Sequence, residues 1–215
     1  MREDPVLDLF FKGKSVIVKN LNAMVGVVLV LVFAVGFTVI YSQIRKSNME
    51  KAEEAFGNAM IEFNNRNIEK AIEGFRIVAD NHPGIPQGST SAYMLGSIFM
   101  TMSRYDEAIK WFNAVSTKNK DIGFVGGEAL EGIASCYESK GNIPLALEYL
   151  GKALKNDQIK YRHGAIRWKM ALLCRQTNKN EQARSLCKEM LSDTTIGDLR
   201  QSVENLFATL TATNG

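Results

Sequence analysis

Four alanines recur along the chain at nearly constant intervals: Ala71, Ala108, Ala146 and Ala183, separated by 37, 38 and 37 residues. Self-similarity at such a period restricts a chain to a stack of like units, since one short unit cannot bury its apolar face without neighbours. The spacing around each alanine is helical. Four residues on stand Phe75, Phe112, Leu150 and Cys187, and three further on Val78, Val115, Ala153 and Met190. Steps of four and three place side chains on one stripe of a helix. Twelve residues before each alanine lies a small residue, Ala59, Gly96, Ala134 or Ala171, followed three later by Glu62, Phe99, Tyr137 or Cys174. This predicts a second helix in each unit, with the small residue where a neighbour approaches closely. Polar stretches at residues 64–67, 103–104, 141–142 and 178–180 separate the helices, and Gly and Asn accept the left-handed backbone that ends a helix. Pro144 suits the first turn of its helix, where its missing N–H costs nothing. The predicted class is all-α, a solenoid of helix hairpins over about residues 52–85, 89–122, 127–160 and 164–196. Beyond Gly197, the run Leu199, Val203, Leu206, Phe207 and Leu210 predicts a helix within 197–215 that caps the stack.

Residues 21–44 carry no charged side chain. An apolar stretch of about 20 residues matches a hydrocarbon core about 30 Å thick, and the absence of a polar stripe sets it apart from a surface helix. Asn22, Ser42 and Gln43 fall at its ends, and Tyr41 stands where interfacial aromatics stand. The stretch is longer than a signal-peptide apolar region and no small-x-small cleavage site follows, so an uncleaved transmembrane anchor is expected. Residues 1–20 form a leader with Arg2, Lys12, Lys14 and Lys19; Arg45, Lys46 and Lys51 follow the span. This slight excess favours a cytoplasmic N-terminus. No Gly or Pro separates Ile44 from Phe56, which predicts one helix running from the span into the first repeat.

The hairpin pattern resembles the tetratricopeptide repeat over about residues 52–191. Leu95, Gly96 and Phe99 with Ala108 and Phe112 fit it well, as do Ala71 and Phe75 with Pro83. The period exceeds the usual ~34 residues, a surplus assigned to the inter-repeat loops. The fourth repeat departs most, with Arg167, Cys174 and Cys187 where large apolar residues are usual. The resemblance implies a concave groove lined by the first helix of each repeat. That groove would receive Phe56, Met60 and Phe63, then Tyr93 and Met100, then Glu128, Glu131 and Glu138, then Trp168, Leu172 and Arg175. Aromatic and Met side chains suit adaptable contacts with peptide segments; the alternative is that they are partly buried against neighbouring repeats. The Lys and Asn clamp of chaperone-docking repeats is replaced by Phe56 and Met60, which excludes that mode.

Bulk charge does not suggest nucleic acid: the net charge is +3, from 26 basic and 23 acidic residues. Residues 152–188 hold ten Lys and Arg against Asp157 and Glu181, a basic stretch that could meet an acidic partner or headgroups, or simply be solvated. Cys174 and Cys187 fall at facing repeat positions, open to a disulfide or to burial as small apolar side chains, and Cys136 falls on a more exposed position. His82 and His163 have no nucleophile or carboxylate partner at a recognisable spacing, and Gly126 and Gly127 read as a helix start rather than a phosphate loop. No metal site, cofactor site or catalytic residue is expected, and no residues remain to build an enzymatic domain.

Leader, single span, four repeats and cap together resemble the bacterial ancillary SecYEG-translocon subunit (YfgM-like) family. That resemblance implies an inner-membrane protein with a periplasmic repeat domain, partnered by the SecYEG translocon, periplasmic chaperones or exported polypeptides, with membrane lipid around the span. The residues alone imply a tethered, non-catalytic protein-binding module; a structural scaffold subunit of a larger membrane complex is the alternative.

Overall fold

Helix-forming periodicity dominates the chain, and the computed structural model is all-helical: no β-strand occurs among the described residues, which are 21–115, 123–193 and 196–212. The leader of residues 1–20 lies outside them. The helices are α1 (Leu21–Asn64), α2 (Ile68–Asn81), α3 (Pro86–Thr101), α4 (Tyr105–Ala114), α5 (Gly123–Ser139), α6 (Ile143–Ala153), α7 (His163–Gln176), α8 (Asn180–Ser192) and α9 (Arg200–Ala212). Short 3-10 segments at Asp157–Arg162 and Gly197–Leu199 precede α7 and α9.

The chain divides into two compact units, Met1–Glu50 and Lys51–Gly215. In the first, α1 carries an apolar surface that nothing in the protein covers: Val25 to Ile44 are all exposed, with Phe33 at 75% and Phe37 at 71%. Two of its hydroxyls return to the helix backbone, Thr38 Oγ1 donating to the Val35 carbonyl and Ser42 Oγ to the Val39 carbonyl, each at 2.8 Å. It is the one described helix long and apolar enough to cross a membrane. Residues 45–52 are helical without interruption, as the missing Gly and Pro predict.

The second unit is a run of hairpins, formed by the end of α1 with α2, then α3 with α4, α5 with α6, and α7 with α8. Each hairpin closes in the same way. One residue takes a positive φ, Arg66 (62°), Ser103 (59°), Gly141 (75°) and Asn178 (58°). The next residue's N–H then bonds back to the Glu62, Phe99, Tyr137 or Cys174 carbonyl at 2.8–2.9 Å. This six-to-one bond satisfies a carbonyl that the helix end would otherwise leave bare. The aligned alanines Ala71, Ala108, Ala146 and Ala183 are fully buried.

Close approach is concentrated at the small residues. A Cβ on Gly74 would lie 2.8 Å from Cβ of Ala59, and one on Gly96 would lie 2.6 Å from Cδ1 of Phe112. On the opposite edge of the same ring, a Cβ on Gly132 would lie 2.6 Å from Cζ. Phe112 is thus held between α3 and α5, and full burial of such a side chain contributes ~1.5–3 kcal/mol.

Two details differ from the sequence expectation, and at a third the chain takes one of the two alternatives left open. Gly126 and Gly127 lie inside α5 and are buried; a Cβ on Gly127 would meet the buried Ile159 side chain at 2.7 Å. Cys136, expected to be exposed, is fully buried, because α5 packs against both α3 and α4 and covers that face. Cys174 and Cys187 are free thiols rather than a disulfide. Each is buried among Ala171, Ala183 and Met190, and Cys174 Sγ lies 3.8 Å from Gln182 Oε1. At the far end, α9 buries Val203, Leu206 and Leu210 with Ile196 against the fourth hairpin, and Arg184 Nη2 donates to the Leu210 carbonyl at 3.2 Å.

Candidate peptide-binding groove

The helix that begins each hairpin carries the side chains expected from the sequence to line a groove. Phe56 and Phe63 from α1 are half-buried, their ring centroids 5.8 and 6.3 Å from that of Phe75. Met60 beside them is also half-buried. Tyr93 of α3 packs on Phe112 at 5.7 Å, with Met100 nearby. Each of these side chains is half-buried, packed in part against the core. Trp168 likewise packs against the last cluster, while Leu172 and Arg175 are exposed.

Two cavities bring part of this set together. One, of about 380 Å³, is walled by Tyr93, Ser97 and Met100 from α3, Glu128 and Glu131 from α5, Arg162 from the 3-10 segment and Lys169 from α7, together with Phe112 and Gly132. The other, of about 310 Å³, is apolar and is formed by Phe63, Ile68, Met94, Ile98 and Met102. Both share Ser97. Phe56, Met60, Trp168, Leu172 and Arg175 line neither.

The larger cavity is framed by charge pairs between neighbouring hairpins. Arg162 donates to Glu131 through Nε (2.6 Å) and Nη2 (3.0 Å). Lys169 Nζ bonds Glu138 at 2.7 Å and Ser135 Oγ at 2.9 Å. The bond to Glu131 holds the Arg162 guanidinium above its usual range. Burial, then the Glu128 charge, pushes the Tyr93 hydroxyl up, so it remains a protonated donor. Ion pairs also claim Lys152, Lys160, Arg167 and Arg184. Six of the ten basic side chains of residues 152–188 are therefore ion-paired, and the stretch keeps a basic surplus through Lys155, Arg175, Lys179 and Lys188.

Sequence reasoning placed Glu128, Glu131 and Glu138 on this face but missed Arg162, Lys169, Ser97, Phe124 and Tyr161. A usable signal was present: Arg162 and Lys169 each follow their glutamate by 31 residues, so two opposite charges recur at one offset. Among the described residues, no group of three His, Cys, Asp or Glu side chains could hold a metal ion. His163 Nε2 instead lies 3.2 Å from the Asn156 carbonyl oxygen.

Residues 56–120 match the family model described as Tetratricopeptide repeat. The match covers the first two hairpins, and the array as a whole is tetratricopeptide-like in fold. Similar solved structures agree at the level of the fold. A tetratricopeptide repeat protein from Parabacteroides merdae superposes with a TM-score of 0.60 at 18% identity, covering 75% of this chain and 60% of that one. The tetratricopeptide-like repeats of a putative kinesin light chain from Podospora anserina give 0.54 at 14% identity, covering 77% and 87%. YrrB, described as a tetratricopeptide protein with an unusual peptide-binding site, gives 0.53 at 13% identity, covering 74% and 76%. A comparison with curated proteins finds no match.

Proposed function

We propose that this chain is a membrane-anchored module that binds segments of other polypeptides. Residues 1–20 form the leader, residues 21–44 the span, residues 45–196 the four repeats and residues 197–215 the cap. The observation that carries the reading is the pairing of two surfaces on one chain. One is the stretch of α1 from Val25 to Ile44, whose apolar side chains are all uncovered. The other is a tetratricopeptide groove with half-buried aromatic and Met side chains beside two cavities. Lipid is the solvent that suits the first. Extended or helical peptide suits the second, and a peptide-binding site is attributed to the similar YrrB fold. The groove works by steric and electrostatic complementarity, without covalent chemistry.

The layout resembles the translocon-associated family, and we place the module at the Sec translocon in the bacterial inner membrane. The repeat array then faces the periplasm, where it receives emerging chains and passes them to chaperones. Two experiments test this. Labelling of a single introduced cysteine on α9 in intact cells reports the side of the membrane, and protection from an impermeant reagent would refute the periplasmic placement. Purification of the full chain in mild detergent with mass spectrometry would recover translocon subunits and chaperones in variable amounts. A fixed stoichiometric assembly would favour the scaffold reading. That second reading has one specific observation in its favour: Ile61 and Ile77 stand 58% and 50% exposed on the outer face of the first hairpin, around a cavity of about 360 Å³ floored by Ala59 and Gly74.

A further inference from the structure

Within the repeat unit, two aromatic side chains are exposed among the described residues: Phe124 at 47% and Tyr161 at 71%; all others are buried or half-buried. Both flank the same carboxylate. Phe124 lies four residues before Glu128 on α5, which puts the two on one helix face. Tyr161 Oη donates to Glu128 Oε1 at 3.3 Å. Tyr93 faces Glu128 in the larger cavity, where the Glu128 charge helps keep its hydroxyl protonated. The two cations of that cavity are committed elsewhere, Arg162 to Glu131 and Lys169 to Glu138. Among the described residues no basic side chain forms an ion pair with Glu128; its charge is felt by the Arg162 guanidinium, which Glu131 holds. A carboxylate bordered by aromatic side chains is chemically suited to a cation, since the charge attracts it and the rings can add their quadrupoles. An anionic segment would instead meet the unpaired Glu128 in a cavity whose two cations are already paired.

We propose that Glu128, with Phe124, Tyr161 and Tyr93, forms a subsite for a lysine or arginine side chain of a bound polypeptide segment. The adjoining apolar cleft of Phe63, Met94 and Met102, reached across Ser97, takes an apolar side chain of the same segment. This rests on the polypeptide-binding reading of the groove and adds the chemistry of its occupant: a cationic residue close to an apolar one. Charge complementarity selects it, and the apolar cleft supplies desolvated contact.

The test uses the full chain in non-ionic detergent micelles. The probe is a short fluorescent peptide of Gly, Ser and Ala carrying one leucine and one arginine, beside counterparts with the arginine changed to Gln or Glu. Fluorescence anisotropy should show the arginine peptide binding about tenfold more tightly than the Gln peptide, with the Glu peptide weakest. Glu128→Gln should close the gap between the arginine and Gln peptides while leaving the Gln-peptide affinity unchanged. Tyr161→Ser, at a site too exposed to threaten folding, should narrow the gap. Equal binding of the arginine and Gln peptides by the unaltered chain, or a gap that survives Glu128→Gln, overturns the subsite while the groove reading stands. Failure of every peptide to bind overturns both.

Discussion

At the scale of single residues, the hairpin turns and the packed glycines dominate. Four turns need a left-handed residue, and glycine fills it once. At Ser103 the side chain costs about 1 kcal/mol through its Cβ. Ser103→Gly is therefore expected to stabilise the repeat unit by about 0.5–1 kcal/mol, and Gly141→Ala to destabilise it by about 1 kcal/mol. Denaturant titration followed by Trp111 and Trp168 fluorescence would measure both. Gly132 has no such freedom, because Phe112 fills the space its Cβ would occupy. Gly132→Ala should cost about 1–3 kcal/mol by overpacking, and an unchanged midpoint would show that the ring can yield. Burial pushes the Cys136 thiol up to about 11 from 9.0. Its folded form thus holds a proton that the unfolded chain releases first. The contribution is complete below pH 9, falls as pH rises from about 9, and is lost through about 11. Cys136→Ala should flatten that alkaline decline in a pH series of melts.

At the scale of elements, much was legible because local pattern decides it. The small residue, the alanine twelve later and the stripe beyond define both helices of a hairpin, and each of those positions is buried or half-buried. The uncharged stretch inside α1 announced itself by length. What stayed hidden depends on stacking between units. Cys136 looked exposed on its own helix and is covered by the preceding hairpin. The 3-10 segment at Asp157–Arg162 gives no periodic signal, yet it inserts Ile159 against Gly127 and carries Arg162 to Glu131. The groove was legible as a face, through Tyr93 and the α5 glutamates, but not as a cavity, since half its wall comes from that segment and α7. For α1 the prediction is direct. With the Thr38 and Ser42 hydroxyls bonded to its own backbone, the middle of the stretch asks nothing polar of its surroundings. Val32→Lys would place a charge mid-stretch at a cost of about 2.5–3.5 kcal/mol in membrane insertion. The altered chain should shift toward the alkaline-carbonate-soluble fraction, whereas full retention in the pellet would argue against a bilayer around residues 21–44.

At the scale of the whole molecule, the ends of the repeat unit are not alike. A stack of hairpins leaves an apolar face at each terminus, and a capping element with a polar outer surface is what keeps such an end in water. At the C-terminal end α9 supplies it: Val203, Leu206 and Leu210 turn inward, while Gln201, Asn205 and Thr209 are exposed. At the other end the first hairpin still shows Ile61 and Ile77. A chain ending at residue 196 would uncover Met190, Cys187 and Ile196, whose burial α9 completes. Losing three inward apolar side chains at ~1.5–3 kcal/mol each is comparable with the whole stability of a small domain. Because units couple only to their neighbours, the damage should be graded rather than global. The truncated chain is expected to lose hydrogen-exchange protection first in α7 and α8, while α3 and α4, with Tyr93 and the apolar cleft, keep theirs. Uniform loss of protection along residues 51–196 would instead mean that the stack melts as a single cooperative body and that α9 is part of its folding core rather than a lid on one end.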